Sequence, residues 1–228
     1  MPARAFSVDE VAEVQRKYPS LQLISAGVLE GILVMDADYA GRRISDSFKV
    51  RIASTDSSRL PSLAEIGGRT ESIAKKFRID TLDLHKNRDG TACVCVKQIE
   101  KLKFPPGSSL FHFVEELAVP YLYGLARNEK DGRWPWQDYS HGFLGLLEFY
   151  AEGQPTTAME DFAEIVAIFR KEPGWRFIRK QLRKTPSAKR ACLCGSGKPI
   201  GRCHRQVRKG IKFLHREIER LSLHHLIA

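Results

Sequence analysis

The stretch Phe48-Lys49-Val50-Arg51-Ile52 alternates apolar and polar side chains over residues 48–52. Successive side chains of a β-strand point to opposite faces, so this alternation predicts a strand with one buried face. The apolar run 21–35 precedes it, and Val28 and Leu33 within that run favour further strand. The polar stretch 36–43 predicts a turn between the two. The sequence thus predicts an antiparallel sheet in the first third of the chain.

Helical patterns lie on both sides of these strands. Ser7 followed by Glu10 is a capping-box pattern, which predicts a helix from residue 8 to about residue 17. Apolar residues recur at helical spacing over 110–125, where Pro120 predicts a kink. Further helices are predicted over 143–150 and beyond residue 160. Because strands and helices are segregated along the chain, we predict an α+β fold.

Composition and charge limit the possible classes of protein. The chain has 228 residues, 43% of them hydrophobic, which is enough for a packed core. No apolar stretch of membrane-spanning length and no apolar leader occur, so we expect no membrane partner and a cytoplasmic location. Residues 154–228 carry 17 basic and 6 acidic side chains. This excess predicts a partner such as nucleic acid or an acidic protein, and the alternative is a solvated basic tail.

The change in charge along the chain predicts three parts. They are residues 1–153, a helical basic linker region 154–190, and a C-terminal part 191–228. In the last part, apolar residues recur with spacings of four and three residues. They are Val207, Ile211, Leu214, Ile218 and Leu221. The stripe predicts an amphipathic helix that packs on its own domain, with self-association as the alternative.

The five cysteines form two clusters, Cys93/Cys95 and Cys192/Cys194/Cys203. An odd number at such tight spacing is untypical of a secreted disulfide framework and typical of metal binding. In the second cluster, three thiols and the imidazole of His204 supply the four ligands of a tetrahedral zinc site. The turn 195–197, Gly-Ser-Gly, allows the backbone to fold back on itself. We therefore predict one structural zinc ion per chain, bound by Cys192, Cys194, Cys203 and His204.

The same residues carry a resemblance to a known motif. Cys192-Leu193-Cys194-Gly195-Ser196-Gly197-Lys198, followed after four residues by Cys203-His204, resembles the SEC-C motif, a zinc knuckle appended to many proteins. The resemblance implies a zinc ion and a docking role, and it implies no reaction.

A second resemblance involves residues 85–94, His-Lys-Asn-Arg-Asp-Gly-Thr-Ala-Cys-Val. The segment is similar to the active-site segment of ubiquitin-conjugating enzymes, in which a His-Pro-Asn element precedes Gly-x-x-Cys. The resemblance implies that Cys93 carries a thioester, that Asn87 stabilises the oxyanion, and that His85 begins the catalytic element. It also implies a ubiquitin-conjugating-like domain over 1–153, with an N-terminal helix, a meander of strands and later helices.

The chemistry of these residue types agrees with such roles. Thioester formation needs an accessible cysteine that reaches its thiolate form, and the neighbouring cations Lys86, Arg88 and Lys97 favour the thiolate. An amide such as that of Asn87 can donate to a developing oxyanion. The alternative is that Cys93 is a buried structural cysteine on a strand.

Segments in the helical half, 119–123, 132–135 and 140–142, resemble bacterial ubiquitin-conjugating-like proteins of antiphage signalling operons (CBASS). This resemblance implies transfer of a protein's C-terminus to an amine. The donor would be a cyclic-oligonucleotide synthase or a ubiquitin-like protein, activated elsewhere. His141 is either a proton shuttle or a helix cap. The alternative function is a non-catalytic adaptor in which the knuckle and the basic residues of 170–220 bind nucleic acid or an acidic protein. The predicted phosphate contacts are Lys171, Arg176, Arg179, Lys180, Arg183, Lys184, Lys189, Arg190, Arg205, Arg208 and Lys209.

Overall fold

The computed structural model describes residues 4–55, 60–95, 100–135, 139, 143–152, 159–171 and 175–228. The chain divides into two compact units, Met1–Gln137 and Asp138–Ala228. The predicted boundary at residue 153 lies outside the described residues. The predicted α+β class is confirmed, since a four-stranded antiparallel sheet and separate helices make up the described chain.

The N-terminal unit begins with helix α1 (Val8–Lys17). The Glu10 amide donates to Ser7 Oγ and the Ser7 amide donates to the Glu10 carboxylate, so the predicted capping box is present. Val11 and Val14 point into the core from its buried face. The predicted helix is confirmed at both ends.

The sheet is an antiparallel meander in which chain order equals spatial order. Its strands are β1 (Leu21–Ser25), β2 (Val28–Tyr39), β3 (Arg42–Ala53) and β4 (Ser62–Glu65). In β3 the side chains of Phe48, Val50 and Ile52 are buried, while Lys49 and Arg51 between them are exposed. The alternation therefore predicted this strand and its buried face.

The prediction of a turn over 36–43 was wrong for most of that stretch. Strand β2 continues to Tyr39 and β3 begins at Arg42, so only two residues form the turn. The polar residues lie on an exposed part of the sheet, where the Arg43 guanidinium donates to the Asp36 carboxylate from the facing strand at 2.7 Å. Such cross-strand pairs support a strand as well as apolar side chains do.

Helices follow the sheet in the N-terminal unit. They are α2 (Arg69–Phe77), a 3-10 turn (Thr81–Leu84), α3 (Glu100–Lys103), α4 (Leu110–Phe113), a π-helical turn (Val114–Ala118) and α5 (Val119–Asp131). The helical spacing over 110–125 is confirmed. Pro120 lies in the first turn of α5, where a proline is tolerated, directly after the π-helical turn.

Two helices close the core of this unit against the sheet. Helix α5 packs on β2 and β3, and α1 packs on β1 and α4. The fully buried side chains between these layers include Leu29, Leu33, Leu63, Phe113 and Leu122. Strand β4 pairs with β3 at the edge of the sheet.

The C-terminal unit is helical in its described part. Its helices are α6 (Phe143–Tyr150), α7 (Met159–Arg170), α8 (Trp175–Arg183), α9 (Ile200–Cys203) and α10 (Arg205–Arg220), followed by a 3-10 turn (His224–Ile227). Phe162, Phe169 and Leu182 from α7 and α8 are fully buried, so the predicted linker region contributes to this core.

Helix α10 lies directly on α6. Val207, Ile211, Leu214 and Ile218 are fully buried, which agrees with packing of the apolar stripe on its own unit. Gly210 allows the closest approach, because a Cβ at this position would lie 1.6 Å from the Leu147 carbonyl oxygen.

None of the described helices combines the length and the apolar character needed to cross a lipid bilayer.

Candidate functional site

The segment from His85 to Cys93 forms a closed loop. The 3-10 turn before it ends at His85, whose φ of 55° is left-handed. The Cys93 amide donates to the His85 carbonyl oxygen at 2.7 Å, and Lys86 forms an isolated antiparallel bridge with Ala92. The two ends of the segment therefore lie side by side, which places the His85 backbone next to that of Cys93.

The far end of this loop is a tight turn at Asp89-Gly90, as the sequence indicates. Gly90 has a φ of 86°, and its amide donates to the Asn87 carbonyl oxygen at 3.0 Å. The Asp89 carboxylate accepts from the Thr91 amide and from its hydroxyl, at 3.0 and 2.6 Å. Those bonds hold the pKa of Asp89 below its ordinary value, with the Thr91 hydroxyl as the larger cause.

Asn87 lies exposed at this turn, with its amide directed to Thr91. The Nδ2 group donates to Thr91 Oγ1 at 3.1 Å, and the Asn87 backbone amide donates to the Thr91 carbonyl oxygen at 2.7 Å. The amide is thus a surface donor two residues beyond His85, already hydrogen-bonded. Donation by this amide to an oxyanion at Cys93 stays a prediction.

Several contacts attach the loop to the rest of the unit. The Ala92 amide donates to the Leu63 carbonyl oxygen of β4 at 2.7 Å, and the Tyr121 hydroxyl donates to the Leu84 carbonyl oxygen at 3.3 Å. The His85 ring packs on Trp134 with centroids 4.7 Å apart. The loop is therefore held by the sheet, by α5 and by an aromatic side chain.

Trp134 is a packing residue of this region. Its indole lies over Gly124 of α5, where a Cβ would be 2.4 Å from the ring, and its centroid is 6.0 Å from that of Tyr121. Trp134 therefore anchors this region by packing. Trp136 and His141 lie outside the described residues.

The Cys93 thiol is partly exposed. Its Sγ donates weakly to the Cys95 carbonyl oxygen at 3.8 Å, while Ala92, Val94 and Cys95 pack against the hydrophobic core. The position is neither fully buried among aliphatic side chains nor fully solvated. Cys93 is therefore an intermediate case between a buried structural cysteine and a solvated one.

The surroundings of Cys95 disfavour its thiolate. Burial, and then the nearby Glu100 carboxylate, raise the pKa of the Cys95 thiol to about 12. A thiol with that pKa is almost entirely protonated at neutral pH and is a poor nucleophile. Cys95 is thus a bystander in any thiolate chemistry at this loop.

The predicted positive charge near Cys93 is partly neutralised. Lys86 forms an ion pair with Glu71 of α2, and the lysine side chain is only 14% exposed. Arg88 is exposed at the tip of the loop, and Lys97 lies outside the described residues. Helix α2, which supplies the Glu71 carboxylate, was not among the helices predicted from the sequence.

The second cluster brings four ligand atoms together in the C-terminal unit. The thiols of Cys192, Cys194 and Cys203 and a ring nitrogen of His204 all lie within 4.8 Å of one another. Cys192 Sγ is 3.2 Å from His204 Nδ1, and Cys194 Sγ is 3.6 Å from Cys203 Sγ. The predicted ligand set is thus assembled, and all five cysteines of the chain are free thiols.

The donor set and spacing fit a tetrahedral metal site. With Zn–S bonds of about 2.3 Å and a Zn–N bond of about 2.0 Å, tetrahedral geometry places two sulfurs about 3.8 Å apart, and a sulfur and a nitrogen about 3.5 Å apart. The observed separations of 3.6 and 3.2 Å lie close to these values. The four residues can therefore hold a metal ion after small movements of their side chains.

Local structure explains how this short segment brings the ligands together. Gly195 and Gly197 have left-handed φ values of 78° and 72°, which L-residues with a Cβ rarely adopt. They reverse the chain direction after Cys194, between the first two ligands and the last two. The Cys192 amide donates to the Lys198 carbonyl oxygen at 2.8 Å, which closes the turn. His204 lies where α9 ends and α10 begins, with non-helical φ and ψ.

Ser196 is a residue of this site that sequence reasoning treated only as part of the turn. Its Oγ lies 3.1 Å from Cys194 Sγ and 3.3 Å from Cys203 Sγ. Hydrogen bonds from Ser196 lower the pKa of the Cys194 thiol to about 6, whereas burial raises that of Cys192 to about 11. The Ser196 hydroxyl therefore favours the thiolate of Cys194, the form in which cysteine binds metals.

Several arginines proposed as phosphate contacts are bound within the C-terminal unit. Arg179 and Arg183 donate to the carbonyl oxygens of Ala228 and Ile227, at 2.9 and 3.1 Å. Arg208 Nε donates to the Pro186 carbonyl oxygen at 3.0 Å. These three guanidinium groups hold the chain terminus and the segment before the knuckle, which leaves fewer cations for a ligand than the sequence suggests.

No family model, curated protein or solved structure matches the chain.

Proposed function

We propose that the chain is a ubiquitin-conjugating-like acyl-transfer protein in which Cys93 forms a thioester with a protein C-terminus. The observation that carries this proposal is the partly exposed Cys93 thiol at the end of the closed loop 85–93, next to the last strand of the sheet.

The order of the elements supports the proposal. Helix α1 is followed by the meander β1-β2-β3-β4, then by the loop with Cys93, and then by helices. The resemblance of residues 85–94 to ubiquitin-conjugating enzymes implies the same order. The helix α2 between β4 and the loop is an addition to that layout.

The reaction has two steps. The Cys93 thiolate attacks the carbonyl carbon of a donor C-terminus activated elsewhere as an acyl adenylate or a thioester, a C–S bond forms, and the leaving group departs. An amine of the acceptor then attacks the same carbon, a C–N bond forms, and the thiolate leaves. The second attack releases one proton from the amine, and no oxidant or reductant is needed.

Asn87 and His85 have different tasks in this scheme. The Asn87 amide would leave Thr91 Oγ1 and donate to the oxyanion of the tetrahedral intermediate, where loss of one donor costs about 3 kcal/mol elsewhere. The His85 carbonyl oxygen accepts a hydrogen bond from the Cys93 amide, and the His85 imidazole packs on Trp134. We therefore assign His85 to positioning of the Cys93 backbone.

The variants Asn87→Ala and Thr91→Ala distinguish two roles of Asn87, stabilisation of the oxyanion and maintenance of the loop. If Asn87 stabilises the oxyanion, Asn87→Ala slows acyl transfer about 100-fold and leaves thioester formation unchanged. Thr91→Ala, which frees the same amide from its present partner, leaves transfer intact. Equal losses in both variants would show that Asn87 only maintains the loop.

In the same proposal the C-terminal unit contains one structural zinc ion. Cys192, Cys194, Cys203 and His204 would hold it, and four protein ligands leave no open position for a substrate. The ion would stabilise the knuckle, which has few buried side chains of its own.

The resemblance to antiphage operon proteins suggests the substrates. We propose that the donor is the C-terminus of a cyclic-oligonucleotide synthase or of a ubiquitin-like protein, and that the acceptor is an amine. The rival proposal, a non-catalytic adaptor, predicts binding through the basic C-terminal part and no covalent adduct.

The test is an adduct assay in extract of the source cells with ATP, analysed by non-reducing electrophoresis. We expect a band that DTT removes and that Cys93→Ala abolishes, whereas the matched control Cys95→Ala retains it. An adduct unchanged in Cys93→Ala would exclude Cys93 from the reaction.

A further inference from the structure

A cavity of about 490 Å³ opens on the C-terminal unit beside α10. Ala151, just after α6, and Thr185, just after α8, form part of its wall, and one face of α10 forms the rest. Its volume is in the range of sites for small ligands. The cavity belongs to neither the loop of Cys93 nor the cysteine knuckle.

Three cations line this cavity. Lys209, Lys212 and Arg216 follow each other at spacings of three and four residues, so they lie on one face of α10. All three are exposed, and among the described residues none has a carboxylate within ion-pair distance. A threefold positive charge without a partner favours an anion at this face.

The acids nearest in sequence are committed to other groups. Glu217 pairs with Arg220 at 2.6 Å, and Glu219 lies 3.4 Å from His224. Glu152, the residue after Ala151 of the cavity wall, forms a hydrogen bond with Tyr139. Burial is the larger cause of the raised pKa of the Tyr139 hydroxyl, and this bond is the second. None of these three carboxylates forms an ion pair with Lys209, Lys212 or Arg216.

An aromatic ring lies among the cations. Phe213 is half-buried and lines the cavity, and its ring stacks nearly parallel on the buried Tyr150, with centroids 6.1 Å apart and an interplanar angle of 13°. The stack holds the Phe213 ring in a fixed orientation. A rigid aromatic wall beside cations suits a ligand that combines a flat ring with a negative charge.

Polar groups at the rim complete the lining. His215 Nδ1 lies 2.9 Å from the Leu182 carbonyl oxygen, and a carbonyl can only accept, so this nitrogen carries a proton. The His215 ring is thereby fixed beside the cavity, and the Thr185 hydroxyl provides a further donor or acceptor.

We propose that this cavity binds a nucleotide unit. Lys209, Lys212 and Arg216 take the phosphate, and Phe213 stacks on the base. The unit is either a free nucleotide or one residue of a single-stranded nucleic acid, since both offer the same chemistry. This site is independent of the proposed acyl transfer, because it involves other residues and another unit.

The test uses the full chain with two probes, ATP and a fluorescein-labelled single-stranded DNA of 12 nucleotides, in a salt series. We expect Lys209→Gln/Lys212→Gln/Arg216→Gln to weaken binding at least about 10-fold and to reduce the salt slope of log K by about 2. Phe213→Leu should weaken binding about 5-fold or more and leave the salt slope unchanged.

The matched control removes three exposed cations of α8 and the residue after it, Arg176→Gln/Lys180→Gln/Lys184→Gln. It should weaken binding less than about threefold at 150 mM salt. Binding of ATP that competes with the DNA would identify a free-nucleotide site, and binding of DNA alone a nucleic-acid site.

Three results would overturn the proposal: equal losses in the two triple variants, no effect of Phe213→Leu, or no binding of either probe by the wild-type chain. Thermal unfolding of every variant checks that the C-terminal unit is folded. Because the altered charged side chains are exposed, we expect unchanged unfolding temperatures.

Discussion

The amide of Cys93 donates to the carbonyl oxygen of His85 at 2.7 Å, so the first and last residues of the proposed active-site segment are hydrogen-bonded neighbours. The bond closes a loop that β4 holds through Leu63 and Ala92. The bond fixes the backbone of Cys93, which limits the positions open to its thiol, and acyl transfer depends on such positioning.

The two cysteines of the loop should differ in reactivity. Since the Cys95 pKa is raised to about 12, its thiolate fraction at pH 7.4 is on the order of 10⁻⁵, against several per cent for an ordinary cysteine. We expect iodoacetamide to modify Cys93 at least about 10-fold faster than Cys95. Peptide mapping by mass spectrometry after timed quenching measures both rates. Faster modification of Cys95 would contradict the assignment.

Metal analysis should give about one zinc per chain, lost in Cys192→Ser/Cys194→Ser. The same variant, or treatment of the wild type with a chelator, should increase hydrogen exchange over 188–204 and leave α1 and the sheet unchanged, because the knuckle depends on the ion. Cys93→Ser is the matched control and should retain zinc. Freshly purified wild-type protein without zinc, and with no other metal, would exclude the site.

Gly210→Ala should destabilise the C-terminal unit, although alanine is the better helix former by about 1 kcal/mol. The added Cβ would lie 1.6 Å from the Leu147 carbonyl oxygen, so α6 and α10 would have to separate. We expect a net loss of about 1–3 kcal/mol in the free energy of unfolding. Thermal denaturation measures it, with Lys212→Ala on the same helix as control. A stabilised Gly210→Ala variant would contradict the close packing.

The stability of the N-terminal unit should depend on Asp46 in acid. Hydrogen bonds from Arg69 lower the pKa of the Asp46 carboxyl below its ordinary value. The stabilisation is therefore fully present above the unfolded pKa of about 3.9 and is lost as the pH falls through the lower folded value.

For Asp46→Asn we expect a loss of up to about 1 kcal/mol at pH 7, because the pair is partly exposed, and a smaller difference near pH 2.5. Urea denaturation at both pH values measures it. A loss that is the same at both would mean that the ion pair with Arg69 does not contribute.

The sequence predicted what local patterns determine. The alternation over 48–52 indicated β3, and Ser7 with Glu10 marked the start of α1. The ligand spacing of Cys192, Cys194, Cys203 and His204 identified the cluster because a turn of fixed length brings those residues together.

Features that depend on tertiary contacts were not predictable in this way. The ends of β2 and β3 over 36–43 are polar, and only their pairing in the sheet makes them strand. Helix α2 has a weak apolar pattern, so its sequence did not indicate a helix. Its first turn is held by a tertiary contact instead, because the Glu65 carboxylate accepts from the Thr70 amide at 2.9 Å. The engagement of Arg179 by the carbonyl oxygen of Ala228 depends on where the chain ends in space.

The most direct test of the account is to trap the acyl group on residue 93. Serine in place of cysteine would form an oxygen ester, which DTT does not cleave and alkali does. We predict that Cys93→Ser, incubated with extract of the source cells and ATP, gives a DTT-resistant adduct whose cross-linked peptide contains Ser at position 93. An adduct that maps to Cys95, Cys194 or a lysine in this variant would contradict the central claim, as would wild-type protein that forms no adduct in the same extract.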